Sequence, residues 1–411
     1  MNGWKDTELG SLVTYKKGFA FKSDTYDENA DVLVVRVSDT TESSINISSC
    51  KKISSALAST LNDYALKTND VIIATVGSWA DNPNSVVGKV IKVPSTASGA
   101  LLNQNAVRLR CIDDLANQDF FYYCLKDNEF SGFLLGNAQG SANQASITLK
   151  DIFSYKISLP QLQEQEAIAS VLSSLDGKIE LLHRQNTTLE AMAETLFRQW
   201  FVEEAKEDWG FIELGEYVNC FNGVSYKSSE LNPSKVAMVT LKSFDRNGGF
   251  RLDGFKEFTG RFKEQHIVAQ GDLVVAHTDI TQDAEVIGNP VLVVNDAKYE
   301  HMVISMDLVK VKSKHDWLSN EFLYRMMRTR EFKEHCLGYS NGSTVLHLSK
   351  QAIPSFEFFM PPKERIESYT KLAKGLFSKK FKNIEQIQTL EKLRDNLLPK
   401  LMSGELRIQI E

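Results

Sequence analysis

The chain is written twice, and that duplication narrows its possible folds more than any other feature. Trp4-x-x-x-Glu8-Leu9-Gly10 recurs as Trp209-x-x-x-Glu213-Leu214-Gly215, and Gly18-Phe19-Ala20-Phe21-Lys22 as Gly223-Val224-Ser225-Tyr226-Lys227. Asn69-Asp70-Val71-Ile72-Ile73-Ala74 is answered by Gly271-Asp272-Leu273-Val274-Val275-Ala276, and Phe121-x-Tyr123 by Phe322-x-Tyr324. Gly136-x-x-x-Gly140-Ser141 returns as Gly338-x-x-x-Gly342-Ser343, and Leu189-Glu190 with Leu196-Phe197 as Leu390-Glu391 with Leu397-Leu398. Matches that keep their order and nearly constant spacing along a whole chain mark a duplication. With 411 residues in all, each copy is long enough to bury its own core, so this is a pair of units and not a solenoid.

Each copy has two parts. The β-branched runs at 31–37, 71–76, 272–276 and 289–294 predict strands. Phe, Tyr and Leu or Met at helical spacing predict short helices over 117–125 and 320–328. From Gln161 to Phe201 the pattern changes: Ile168, Leu172, Leu175, Ile179, Leu182, Asn186, Leu189, Ala193, Leu196 and Trp200 step by fours and threes. That is a heptad seam on a helix about 60 Å long. Asn186 on it is either buried to fix register or turned to solvent where the seam splays. A looser stripe, Ile366, Ala373, Phe377, Phe381, Ile384, Ile387, Leu390, Leu393 and Leu397, predicts a second helix from Lys363, with Pro399 expected to end or kink it.

The expected fold class is therefore α+β: two globular domains in pseudo-two-fold tandem, separated by two long helices forming an antiparallel coiled coil. The boundaries are 1–160, 161–203, 204–362 and 363–411. Acids outnumber bases on the first helix and bases outnumber acids on the second, which favours pairing of one with the other. The alternative is a solvated charged face with no pairing role. An antiparallel pair would hold two similar surfaces a set distance apart.

Chemistry is harder to find. The chain has no glycine-rich phosphate loop, no Gly-x-Ser-x-Gly elbow and no His-Glu-x-x-His helix. Gly288-Asn289-Pro290-Val291 resembles only faintly the adenine methyltransferase motif, lacking its second proline and stacking aromatic. The five cysteines are scattered with no Cys-x-x-Cys pair, so no metal site is expected. The seven histidines do not recur between the copies, which argues against a duplicated catalytic centre. A net charge of −6 argues against a protein that coats nucleic acid through a wholly basic surface. No run of about 18 apolar residues occurs, so no membrane helix is expected. The start, Met1 to Asp6, lacks the basic and apolar regions of a signal peptide, so a cytoplasmic location is expected.

Several motifs resemble those of the specificity (S) subunits of Type I restriction–modification systems. They are Leu159-Pro160-x-Leu162-x-Glu164-Gln165-x-x-Ile168, Leu175-Asp176-x-Lys178-Ile179, Asn186-x-x-Leu189-Glu190 and Leu196-Phe197-x-x-Trp200-Phe201. The ending from Leu393-Arg394-Asp395 through Leu397-Leu398-Pro399-Lys400-Leu401-Met402-Ser403-Gly404-Glu405-Leu406-Arg407 is similar to that family too, as are Gly140-Ser141-Ala142 and Gly342-Ser343-Thr344. The resemblance implies a non-catalytic chain in which each globular domain reads one half of an asymmetric, split site in double-stranded DNA. It implies helices that set the spacing and dock two modification (M) subunits, with restriction (R) subunits joining. S-adenosylmethionine, ATP and Mg would sit on those partners and no cofactor or metal on this chain. Asn69 departs from the glycine the family places before Asp70, but Asn tolerates a left-handed turn.

Base reading calls for Arg, Lys, Asn, Gln, Ser and Thr on loops that reach groove edges. In the first domain the candidates are Lys16, Lys17, Lys22, Ser78, Asn103, Gln104, Asn105, Asn143 and Gln144. In the second they are Lys227, Arg246, His277, Thr278, Thr281, Asn341 and Ser343. Any single one of them reads more readily as a turn-capping or solvated residue, and the loops as groups are the stronger signal. The candidate coiled-coil and partner-subunit residues are Leu175, Ile179, Leu182, Asn186, Leu189, Leu196, Trp200, Phe377, Ile384, Leu390 and Leu397. Two other readings stay open: a coiled-coil scaffold without DNA specificity, and an enzyme of the same system with an unrecognised active site.

Overall fold

A computed structural model describes residues 3–408 except 42–43, 80–85, 142–143, 207, 247 and 281–282. The chain divides into two compact units, and neither is a continuous stretch: Met1–Glu180 with Thr389–Glu411, and Leu181–Gln388.

The first unit is organised around a four-stranded antiparallel sheet in the order Val13–Lys17, Ala106–Cys111, Val71–Ala74, Val90–Lys92. Its central strand Val71–Ala74 is buried throughout, which is why it reads as an unbroken apolar run and not as an alternating one. Side-chain direction alternates along a strand, so this one feeds two cores. Val71 and Ile73 join Phe120, Phe121, Phe130, Ile168 and Leu172 on one side. Ile72 and Ala74 join Val35, Leu66, Ile91 and Leu102 on the other.

The second unit repeats this plan strand for strand: Val218–Asn222, Leu308–Ser313, Leu273–Ala276, Pro290–Leu292. Even the register agrees, with Val71 opposite Leu109 and Leu273 opposite Val311. Leu273 and Val275 face one core, Val274 and Ala276 the other.

Shared residues sit where the backbone demands them. A Cβ on Gly18 would lie 2.0 Å from the carbonyl of Asn103, and one on Gly223 would lie 2.1 Å from that of Ser305. Only glycine permits either approach. Asn69 and Gly271 both adopt left-handed backbone, at φ 69° and 85°. The predicted short helices appear as Gln118–Lys126 and Asn320–Met327, with Asn117 and Ser319 accepting from the first free backbone N–H groups. In each unit a strand near the start of the globular part pairs with one at its end, Lys5 opposite Leu159 and Gly210 opposite Met360. The chain therefore enters and leaves each globular part at the same place, beside a long helix.

The first long helix spans Leu162–Arg198 and finishes in a π-turn, Gln199–Glu203. The second spans Lys363–Met402. Pro399 does not end it: the helix runs on to Met402, because in the last turn proline forfeits only one backbone bond.

Both units show the helices running antiparallel. In the first, Glu164 meets Arg407 and Asp176 meets Arg394. In the second, Asn186 meets Asn383, Glu190 meets Lys380 and Glu204 meets Arg365. Those four ion pairs draw every carboxylate from the first helix or its final turn, and every cation from the second helix or the tail behind it. The opposite charge read from the sequence is realised as contact.

Of the seam residues, Ile179, Leu182 and Phe377 are buried, and Leu196 and Trp200 pack against the core of the second unit. Leu397 packs against that of the first. Leu175, Asn186, Leu189, Ile384 and Leu390 are half-buried. Asn186 is not turned away to solvent: its Oδ1 accepts from Nδ2 of Asn383 at 2.9 Å, and Asn383 is fully buried.

Candidate nucleic-acid interface

Past the central strands the two units build their polar surfaces at matching places. Beyond Ala74 the chain forms Val76–Gly77, which pairs with Gln144–Ser146 and through it with Gln139–Ser141. Beyond Ala276 it forms Thr278–Asp279, pairing with Leu346–Leu348 and through it with Ser340–Asn341. The Gly-Ser elements close these small sheets. A Cβ on Gly140 or Gly342 would come within 2.0 Å of the facing carbonyl of Gln144 or Val345.

This sheet gathers several of the candidates. In the first unit Ser78 follows the strand that faces Gln144, and Trp79 donates its indole N–H to Ser141 O at 2.8 Å. In the second, Thr278, His347 and Asn341 lie across one rung, His277 precedes Thr278, and Ser343 sits in the hairpin loop. Thr278 is buried and bonded to the Asp307 carboxylate at 3.2 Å. Asn341 and Ser343 are exposed. Burial lowers the His277 pKa, aided by the nearby charges of His347 and Lys350.

A second group surrounds Gly18. Asn103, Gln104 and Asn105 form the turn packed between Gly18-Phe19 and Thr75-Val76, with Gln104 N donating to Phe19 O and Thr75 N to Asn105 O. Asn103 is buried and caps the turn, accepting from Asn105 N at 3.4 Å. Lys17 and Lys22 are exposed. Lys16 is engaged, 3.4 Å from Asp63 and 4.6 Å above the Tyr64 ring. The same turn in the second unit is Ser305-Met306-Asp307, so the two units present different groups from identical backbone.

Lys227 is exposed and stands apart from these sheets. Arg246 lines a cleft of about 550 Å³ together with Arg251, Asp253, Asp279, Ile280 and Glu285, and pairs with Glu285 at 3.2 Å. Asn143 and Thr281 lie outside the described residues.

Sequence reasoning missed the groups that shape this cleft. The Asp279 carboxylate accepts from Val286 N at 2.7 Å and Ile287 N at 3.1 Å. Lys333 donates to the carbonyls of Ala284 at 2.9 Å and Ile287 at 2.6 Å, and to Asn289 Oδ1 at 2.9 Å. Burial lowers the Lys333 pKa. Its spacing on a short helix gave no hint that it would hold a distant loop. Among the described residues no cluster of His, Cys, Asp or Glu is arranged to hold a metal ion, and no helix is long and apolar enough to cross a membrane. What the two surfaces offer is hydroxyls, amides, guanidinium groups and lysines at strand ends, the donors and acceptors that read base edges and phosphates.

Residues 1–191 match the family described as the Type I restriction modification DNA specificity domain. The Type I restriction enzyme MjaIX specificity subunit of Methanocaldococcus jannaschii is 26% identical over 320 residues, covering 71% of this chain and 69% of that one. The HindI specificity subunit of Haemophilus influenzae is 23% identical over 356 residues, 70% of this chain and 77% of its own. The crystal structure of a Type-I restriction-modification system S subunit from M. genitalium matches in fold at a TM-score of 0.60 and 16% identity, covering 100% of this chain and 97% of that one.

Proposed function

We propose, from its similarity to the Type I restriction–modification specificity subunits, that this chain is the non-catalytic DNA reader of such a complex, working in the cytoplasm. Each unit reads one half of a bipartite, asymmetric site in duplex DNA, and the paired helices set the spacing between the halves. Two modification subunits dock on the helices and restriction subunits join them. S-adenosylmethionine, ATP and Mg belong to those partners. Docking is supported by apolar side chains left exposed on the helices, among them Val171, Met192, Leu372 and Leu393.

One observation carries the reading. Two units share sheets, register and tight glycine contacts, while the side chains they display on the same turns differ: Asn103-Gln104-Asn105 against Ser305-Met306-Asp307. A duplication that kept its framework and changed its polar surface suits two readers of two different half-sites.

The test is the methylome of a strain carrying this chain with its modification subunit. One bipartite methylated motif is expected, and Arg246→Ala should relax the half read by the second unit at about 1–3 kcal/mol of discrimination, leaving the other half intact. A methylome with no bipartite motif, or an Arg246→Ala variant that alters both halves equally, would sink it.

A further inference from the structure

The second unit carries a cleft lined by four lysines. It has a volume of about 610 Å³ and lies between the strand end at Lys314–Trp317 and the first three turns of the second long helix. Lys314, Lys363, Lys371 and Lys374 line it, against two carboxylates, Asp316 and Glu367. Lys314 Nζ is held by the carbonyl of Gly215 at 2.7 Å, and Lys363 is 3.7 Å from Glu367. Lys371 and Lys374 are exposed, one turn apart on the same helix face, and make no ion pair among the described residues. His315 and Trp317, which line the cleft, stack at 5.5 Å and 26° and form an aromatic wall, with Tyr217 packed edge-on to Trp317. Ser319 and Thr370 bond at 3.0 Å and tie the strand side to the helix side.

The first unit has nothing comparable at this place. Its strand ends in Ile112-Asp113-Asp114-Leu115, two acids where the second unit has His315 and Asp316. The helix positions matching Lys371 and Lys374 are Ser170 and Ser173, which carry no charge. The cations are therefore not a residue of the duplication.

We propose that this cleft grips the sugar–phosphate backbone of duplex DNA passing the long-helix end of the second unit's central sheet, the end away from Thr278 and Asn341, through contacts that carry no sequence information. Free lysines on one helix face supply the point charges that displace counterions from phosphates, and the aromatic wall gives the sugar an apolar surface to lie against. The net negative charge of the chain, −6, makes a local cationic site the place where a polyanion gains most. The proposal takes only the nature of the polymer from the DNA-reading function; the cleft itself stands on its own geometry.

The test titrates the full chain into a fluorescein-labelled duplex of random sequence, followed by anisotropy over a range of salt. Lys371→Ala with Lys374→Ala should weaken binding about tenfold and lower the salt slope by about two, while Lys371→Arg with Lys374→Arg should restore both. Unchanged affinity and slope in the alanine variant overturn the proposal, as does a wild type that fails to bind the random duplex at low salt. An alanine variant that loses its modification subunit on co-purification but keeps its duplex affinity assigns the cleft to a protein partner, and also overturns it. The two readings fail separately. A missing bipartite motif leaves the titration standing, whereas a clear motif with an unchanged titration removes the cleft alone.

Discussion

Tyr123 and Tyr324 occupy the same place in the two copies, yet the bonds they make do not follow the duplication. Tyr123 donates to Asp176 at 2.8 Å, and Asp176 pairs with Arg394 at 3.0 Å. Tyr324 donates to Glu190 at 2.7 Å, and Glu190 pairs with Lys380. Strict symmetry would place one carboxylate on each helix. Both lie on the first. In the first unit this is the helix that follows the globular part, and in the second it is the helix that precedes it. The two domains are equivalent in plan, while the helices are complementary in charge instead of alike. A helix that is the acid partner throughout meets repulsion from a copy of itself and attraction from its true partner.

Depth separates the two triads, and stability should separate them too. In the second unit Glu190 is 21% exposed and also accepts from Arg325, whose side chain is only 4% exposed. Burial works against this carboxylate. Lys380, Tyr324 and Arg325 outweigh it and hold the pKa below the usual carboxylate value. Glu190→Ala leaves the buried Arg325 guanidinium with only the exposed Glu194, at 2.9 Å, and should cost about 3 kcal/mol. Asp176 is 34% exposed, and Arg394 keeps Asp395 at 2.9 Å, so Asp176→Ala should cost about 1 kcal/mol. Urea unfolding of the full chain, with hydrogen exchange to locate the loss, compares the two. Equal costs would mean that the triads are equivalent after all.

The parts of the fold that declare themselves in sequence are the ones that repeat along one dimension. The seam was legible because Ile168, Leu172, Ile179 and Leu182 recur at a helical period. The central strands were legible because Val71–Ala74 and Leu273–Ala276 are buried on both faces. Asn383 was not legible. A polar residue in a loose stripe carries no sign that it will be fully buried against Asn186. The return of 389–408 to complete the first unit was hidden as well, because Arg407 and Glu164 are joined only in space. Among the candidate site residues, the turn 103–105 could be placed from its composition. That Asn103 caps a turn while Lys17 stands free depends on the packing of Gly18. The Lys333 clamp needs a loop and a helix brought together by the whole unit, which no local pattern encodes.

The buried asparagines sharpen the comparison along the helices. By the repeat, Asn186 corresponds to Ile387 and Asn383 to Leu182, both buried and apolar. The seam is thus polar at one of two equivalent places. The Oδ1 atom of Asn383 has no hydrogen-bond partner among the described residues, so this pair gives up stability that an apolar pair would keep. Asn186→Ile with Asn383→Leu makes the seam symmetric and should raise stability by about 1 kcal/mol, read as a higher urea midpoint with unchanged slope. It should also remove a marker of register, seen as added signals for these helices in the NMR spectrum. A double variant that is less stable would show that the asparagines are held by more than each other.

The smallest expected difference is a pH dependence confined to the second unit. His277 stands where the first unit has Thr75, and burial holds its pKa below the ordinary 6.5. His347 and Lys350 push in the same direction, whereas Asp307 and the bond with the Ser349 backbone oppose them. As pH falls through 6.5, the unfolded chain takes up a proton that the folded unit refuses until a lower pH. Unfolding then binds protons, so stability declines with falling pH across that window. Thr75 has no proton to exchange, and this contribution is missing from the first unit. Hydrogen exchange, corrected for its intrinsic rate, should show the second unit loosening slightly between about pH 7.5 and about pH 5.5. In His277→Thr the difference between units should shrink. An unchanged difference would move the effect to another histidine of the second unit, with His266, whose pKa burial also lowers, the next residue to substitute.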